Sequence, residues 1–309
     1  TLMKDSFSVI ALVSLMFYQN WKLALFAILM MPLAAGLAKS LGKILSRNYY
    51  LSELARLIIR YRDNDQNCNI LSNGELLLIN RISSLSDSSS IFLDIGANVG
   101  DWSSYLIDSG GQGTLYCIEP FEENVKILRD RLKSNRLINC NFIQAAISNI
   151  NGNVDFFINK NSNNSAKNSL YDMEEIGYFA EKEKVKTNVM SLDSFYADSE
   201  IDSQSILFVK VDIEGNEYYL LKGANDLLKK SKIDFLQFEF GHASRASRIY
   251  LHDIYNLFSQ YNYKLFIIKP NGLLPLKFTP FIENRYAMVN LLAINHSSIN
   301  LCKDLILKR

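Results

Sequence analysis

From residue 91 onward, short apolar runs alternate with stretches of helical periodicity. IFLDIG leads into a helix expected near 99–108, and TLYCIEP into one near 121–134. CNFIQAAIS and the strand-like NVDFFIN follow. SILFVKVDIEG then precedes a helix near 217–230, and IDFLQFEFG one near 249–260. Strand–helix alternation of this kind predicts a mostly parallel sheet with helices on both faces. Near the end, YKLFIIK and MVNLLAIN, joined through PNGLLPL, read as an antiparallel pair closing that sheet. NVDFFI and VKTNVMSLDSF read as an added hairpin. The expected class is α/β.

The first residues have a different pattern. FSVIALVSLMFY (7–18) and LALFAILMMPLAAGLA (23–38) carry no charge, and the polar connector QNWK separates them. As helices they would span about 18 and 24 Å, short of the roughly 30 Å hydrocarbon core. That predicts an apolar helical hairpin, either inside a larger membrane bundle or buried as a pair. Lys39, Lys43 and Arg47 follow, which by positive-inside reasoning keeps the rest cytoplasmic, with residues 7–38 as a membrane tether. No small-residue cleavage site marks a secretory signal. NYYLSELARLIIRYRD (48–63) reads as an amphipathic helix, with Leu54, Leu57, Ile58 and Tyr61 at helical spacing. SNGELLLINRI reads as another helix, and SSLSDSSS as a hinge. The expected division is 1–47, 48–90 and 91–309. SLMFYQNWKLALFAILMMPLAAGLAKSLGKIL resembles the third and fourth membrane helices of an ABC-type exporter. No GxxxxGK[ST] loop accompanies it, so no transport ATPase is expected. The chain opens on Thr1, which suggests a fragment or a fusion.

Composition narrows the picture. The 309 residues carry 33 Lys+Arg against 32 Asp+Glu, a balance that does not call for nucleic acid. With 48% hydrophobic residues the chain can build a substantial core. Cys68, Cys117, Cys140 and Cys302 are widely spaced and only three histidines are present, so zinc and redox motifs lack close ligands. Cys117 sits in an apolar run as a small buried hydrophobe. Reduced thiols fit a cytoplasmic compartment.

The stretch FLDIGANVGDW carries the first chemistry. Glycines at the carboxyl edge of a sheet let backbone approach a ligand, and the next helix offers unpaired N–H donors. A dinucleotide pyrophosphate wants G-x-G-x-x-G. The spacing here is D-x-G-x-N-x-G, with Asp94, Gly96, Asn98 and Gly100. A carboxylate at the strand tip is a poor neighbour for pyrophosphate. It suits a cationic ligand such as S-adenosylmethionine, which has a sulfonium, an α-ammonium and no phosphate. Glu119 ends the next apolar strand and can accept both ribose hydroxyls. Two other readings stand: a nicotinamide oxidoreductase, which Asp94 and the missing third glycine disfavour, and a membrane-anchored fusion fragment without activity.

FLDIGANVGDWS, LYCIEPFEENVKILRDRL, NFIQAAISNINGNVDFFI and FVKVDIEGNEYYLLKGA follow one another as in the FkbM-type methyltransferases, which the chain resembles over roughly residues 73–295. The resemblance implies a Rossmann-like class I methyltransferase fold using S-adenosylmethionine. It implies that Asp94, Gly96, Ala97, Asn98 and Gly100 form the methionine-side loop and that Glu119 takes the ribose. Pro120 and Phe121 would border the adenosine, and Ala145 or Ala146 the adenine. Asn98 stands where many methyltransferases have a middle glycine.

Methyl transfer is an in-line displacement, governed mostly by positioning. A hydroxyl acceptor benefits from a general base, typically by about 10²–10⁴-fold. Asp212 and Glu214 end an apolar strand two residues apart, on one face if the strand continues. The resemblance puts them at the mouth of the cofactor cleft, Asp212 also as a cofactor ligand. Glu239 and His242 close the following strand, and His242 suits a proton acceptor. Asp212, Glu214 and Glu239 are hard ligands of the type Mg²⁺ takes, but no matched ligand pattern assigns a metal. Residues 159–182 read as a lid or a solvent loop, with Tyr171, Tyr178 and Phe179 as flat faces. Glu283, Asn284 and Tyr286 are further polar candidates. The expected reaction is O-methylation of a sugar, glycan or secondary metabolite.

Overall fold

The computed structural model describes residues 2–63, 67–133, 135, 138–159, 168–172, 182–199, 201, 204–277 and 288–308. Tyr178, Phe179, Glu283, Asn284 and Tyr286 lie outside them. The chain forms two compact units, Thr1–Asp63 and Asn64–Arg309.

The first unit holds α1 (Leu2–Arg47) and α2 (Tyr49–Asp63). In place of two short helices there is one long element, broken at Asn20, where φ −162° and ψ 93° are extended values. The break falls inside the expected connector at 19–22. Asn48 starts α2 by accepting the Leu51 N–H on Oδ1 at 3.1 Å. Phe26, Leu29, Leu33 and Leu37 are exposed, so these apolar residues are not buried as a pair would bury them. Among the described residues no helix is long and apolar enough to cross a membrane. The expected transmembrane hairpin over 7–38 is therefore not borne out. Each uncharged run is short, and the polar connector interrupts them before a spanning length is reached.

The second unit is a Rossmann-like sheet. Its strands are β1 (Ile91–Ile95), β2 (Gly113–Ile118) and β3 (Ile138–Ile143), then, beyond β4–β6, β7 (Ile206–Val211), β8 (Ile233–Phe240), β9 (Tyr263–Lys269), β10 (Gly272–Pro275) and β11 (Val289–Asn295). They lie in the order β10-β9-β11-β8-β7-β1-β2-β3. The five from β3 to β8 are parallel, and β11, β9 and β10 are antiparallel to their neighbours. PNGLLPL, expected as a connection, supplies β10.

A second sheet joins β4 (Ala146–Ser148), β5 (Gly152–Asn159) and β6 (Lys182–Ser191), with β5 and β6 as the expected hairpin. The run 140–148, read as one strand, is thus split between two sheets. The helices are α3 (Glu75–Leu85), α4 (Asp101–Asp108), α5 (Glu122–Leu132), α6 (Leu192–Asp198), α7 (Glu217–Lys222), α8 (Asn225–Lys229) and α9 (Leu251–Phe258). The helix expected over 217–230 breaks at Gly223, where an added Cβ would lie 2.0 Å from the Ser148 carbonyl oxygen.

Alternation along β1 sorts the core. Ile91, Leu93 and Ile95 enter one apolar layer with Val209 and Phe238, while Phe92 enters the other with Phe208 and Trp102. Phe238 is fully buried and stacks on Phe258, ring centroids 5.7 Å apart. Phe238→Ala should cost about 3–5 kcal/mol of unfolding free energy. Urea unfolding would show this as a lower midpoint at unchanged slope.

Candidate active site

β1 and β7 are neighbours whose connections leave in opposite directions, β1 toward β2 and β7 toward β8. Such a reversal opens a crevice outside the carboxyl ends of the strands. The loop after β1 forms one lip. Gly96 and Ala97 donate their N–H groups to the Ile118 carbonyl at 2.9 and 3.2 Å. Gly96 has φ 80°, and a Cβ there would lie 1.8 Å from the Asp212 carbonyl oxygen. Asn98 has φ 50°, a left-handed conformation that asparagine tolerates better than most residues, so it can stand where other sequences use glycine. Gly100 precedes α4, which starts without a side-chain cap.

The crevice has two lobes. The narrower is lined by Glu119, Pro120, Ala145, Ala146, Ile213 and Glu214, the wider by Glu75, Asp94, Ala97, Asp101, Trp102 and Lys210 among others. Gly96, Asn98 and Asp212 belong to both. The wider lobe encloses about 490 Å³.

Two carboxylates expected to bind the cofactor are almost fully buried. Glu119 accepts the N–H groups of Asn98 at 2.9 Å and Phe121 at 3.1 Å, and the Asn124 amide at 3.2 Å. Burial pushes its pKa up to about 7, against the pull of these donors. Asp94 accepts the Ser103 hydroxyl at 2.6 Å. Burial raises it to about 6, opposed by that bond and by Lys210.

Asp94, Lys210 and Gln237 are in register across β1, β7 and β8. The Lys210 ammonium lies 2.9 Å from Asp212. Burial disfavours its charge, but Asp212, Glu75 and Asp94 outweigh that and raise its pKa. Glu75, at the start of α3, accepts from Asn73 at 2.7 Å and from Gln237.

The expected residues therefore divide. Gly96, Asn98, Glu119, Pro120, Ala146, Asp212 and Glu214 line the narrower lobe; Asp94 and Ala97 line only the wider. Gly100 and Phe121 line neither lobe. Gly100 caps α4, and a Cβ there would meet Leu128 Cδ1 at 2.6 Å.

Asp212 and Glu214 do not share a strand face, because β7 stops at Val211 and Glu214 turns back at φ 49°. They converge on the lobe through the turn instead, and Ser169 Oγ donates to the Glu214 carbonyl at 2.7 Å. Glu239 and His242 line neither lobe. Glu239 is half-buried in β8, and His242 opens a 3-10 turn (His242–Arg245). Burial, then Asp212, Glu214 and Glu217, hold Glu239 well above the usual carboxylate range. Glu217 accepts the N–H groups of Gly215 at 3.2 Å and Ile213 at 3.3 Å, bracing the same turn.

Sequence reasoning missed Lys210, Glu75 and Trp102. Lys210 left a signal, a lone charge within the apolar run ILFVKV; Trp102 left none. Tyr171 is partly buried, its hydroxyl 3.4 Å from Asn216 Oδ1. Among the described residues no cluster of three or more His, Cys, Asp or Glu could hold a metal ion.

The carboxylates, the absence of a third glycine and the two-lobed shape fit a ligand with a nucleoside at one end and a cationic amino-acid tail at the other. Among solved structures the chain is similar to an rRNA methylase from Streptococcus thermophilus, at 8% identity over 71% of this chain and 94% of that one, TM-score 0.38. It is similar to an S-adenosylmethionine-dependent O-methyltransferase from Thermotoga maritima, at 11% identity over 76% and 66%, TM-score 0.37. A third is magnesium protoporphyrin IX methyltransferase from Synechocystis PCC 6803 with bound cofactor, at 11% over 72% and 80%, TM-score 0.38. No curated protein matches the chain. The methyltransferase FkbM domain matches residues 94–265, more than half of the chain, and leaves the exporter likeness of residues 1–47 without a counterpart. The chain belongs to the FkbM methyltransferase family, and its cofactor is S-adenosylmethionine.

Proposed function

We propose that the chain methylates a hydroxyl of a sugar, glycan or secondary metabolite, with residues 91–309 as the catalytic part and Glu75 completing the wall of the wider lobe. The observation that carries this reading is the convergence of Asp212 and Glu214 on the lobe shared with Glu119 and the glycine loop. When bound, the cofactor supplies an electrophilic methyl group on sulfur. Glu119 then accepts the ribose hydroxyls while keeping its hold on Asn98 and Phe121. Gly96, Ala97, Asn98 and Asp94 shape the loop around the amino-acid end, Pro120 borders the adenosine, and Ala146 flanks the adenine.

Asp212, oriented by Lys210, and Glu214, held by its turn, face the acceptor and orient its hydroxyl. Glu239 is close enough to feel the charges of Asp212 and Glu214, and His242 follows it at the start of the 3-10 turn. Of these carboxylates, Asp212 and Glu214 line the lobe and are placed to take the proton the hydroxyl releases.

Calorimetry on the full chain tests the cofactor half. S-adenosylmethionine should bind, and Glu119→Gln should weaken it about tenfold or more, since hydrogen bonds to a charged group contribute about 1.5–3 kcal/mol. Methyl transfer from labelled cofactor to a panel of sugars and hydroxylated metabolites tests the other half. Glu214→Gln should keep cofactor binding and lower transfer by about 10²–10⁴-fold. Transfer only to nitrogen or carbon acceptors would sink the O-methylation reading.

The raised pKa of Glu119 gives a pH signature. Its folded value, about 7, exceeds the ordinary 4.5, so its contribution to stability is present below 4.5 and lost as pH rises through 7. Ribose hydroxyls need the ionised form, so the cofactor should bind more weakly as pH falls below 7, approaching tenfold per unit. Glu119→Gln should flatten both dependences; calorimetry and thermal unfolding between pH 5 and about 8 would read them.

A further inference from the structure

The wider lobe has an acidic wall. Glu75, Asp94, Asp101 and Asp212 line it, against Lys210 and Arg131. Each carboxylate already has a donor: Glu75 has Asn73 and Gln237, Asp94 has Ser103, Asp101 has Arg131 at 2.5 Å, and Asp212 has Lys210. Both cations are likewise engaged. An amino-acid tail entering this lobe finds carboxylates for its ammonium, but its own carboxylate meets like charge unless a donor is waiting.

One such donor is present. Trp102 lines the lobe, is 6% exposed, and stacks on Phe208 with centroids 5.4 Å apart, which fixes the indole plane. Its Nε1–H is buried and has no partner among the described residues. An indole N–H can only donate, and leaving it unpaired in a dry setting is costly. Trp102 is also the second residue of α4, whose uncapped first turn leaves backbone N–H groups without intrahelical partners and favours an anion. Two features therefore bring unsatisfied donors together at one residue that lines the lobe.

We propose that the Trp102 Nε1–H, with the first turn of α4, receives the α-carboxylate of the cofactor's amino-acid tail. The assignment rests on the reading that this cleft holds S-adenosylmethionine. It makes Trp102 a binding residue that selects for the intact tail, leaving the acidic wall to the ammonium and sulfonium.

The test is calorimetry with three ligands on the full chain and on Trp102→Phe, which keeps an aromatic ring against Phe208 and removes the N–H donor together with part of the ring volume. S-adenosylmethionine carries the carboxylate, decarboxylated S-adenosylmethionine lacks it but keeps both cationic centres, and 5′-methylthioadenosine lacks the tail. The wild-type chain should prefer S-adenosylmethionine over its decarboxylated form. Trp102→Phe should weaken S-adenosylmethionine about tenfold or more and leave the other two within about twofold, so the preference collapses. Equal weakening of all three would assign Trp102 a packing role and overturn the proposal, as would unchanged affinity for S-adenosylmethionine. No binding of S-adenosylmethionine by the wild-type chain would instead sink the cofactor reading beneath it. Circular dichroism of the variant separates loss of fold from loss of the donor.

Discussion

The active-site crevice depends on one close approach, the Asp212 carbonyl pressed against the α-carbon of Gly96. The 1.8 Å separation from a notional Cβ means that only glycine fits there. The Asp212 N–H meanwhile donates to the Ile95 carbonyl at 2.9 Å, so the ends of β1 and β7 are joined on either side of the contact. From the other flank, Glu119 at the end of β2 holds the Asn98 N–H. The loop is thus clamped from both neighbouring strands before any ligand arrives. That pre-organisation lowers the ordering cost of binding, and it places Asp212 beside the loop without a dedicated contact between their side chains.

The clamp concentrates negative charge, and the fold has to tolerate it. Asp94, Asp212 and Glu75 surround Lys210, a lysine whose side chain is only 7% exposed. Carboxylates removed from water without a partner are strongly disfavoured. The single buried ammonium, assisted by Ser103, Asn73 and Gln237, offsets that cost for three of them. The balance still favours acid over base in the wider lobe, which is hostile to phosphate and hospitable to a cation. This is a second line toward the cofactor, separate from the glycine spacing, and it comes from side chains on three strands and a helix.

Much of the catalytic unit was legible because its elements obey local rules. Alternation at Ile91, Leu93 and Ile95 reads as a strand, and the helix after Gly100 and the antiparallel closing strands have equally plain periodicity. What escaped depended on contacts distant in sequence. The need for glycine at 223 follows from the Ser148 carbonyl, which belongs to a strand distant in sequence. The separation of β3 from β4 follows from which partner each strand finds, and β10 pairs only because β9 offers an edge. At the N-terminus the uncharged runs and their polar connector were legible, but apolarity alone does not say whether a helix spans a bilayer. In the site, Asp94 and Glu119 stand at strand ends, where chemistry is expected. Lys210 and Trp102 sit inside patterns that read as core, and only the tertiary structure turns them toward the cleft.

The glycine motif deserves a different physical reading from the one its sequence invites. Gly96 and Gly100 look like clearance for a ligand, yet the atoms a Cβ would strike belong to Asp212 and Leu128. Their requirement comes from strand-to-strand and helix-to-helix packing, and Asn98 adopts the third left-handed position without being glycine. The spacing therefore encodes a loop shape that many nucleotide-binding folds can share, and it is nearly silent about which nucleotide. The groups around the loop have directional chemistry instead: carboxylates that accept, a buried lysine among them, and an indole that can only donate. Sequence arguments about cofactor choice in folds of this kind gain more from the residues flanking the glycines than from the glycines themselves.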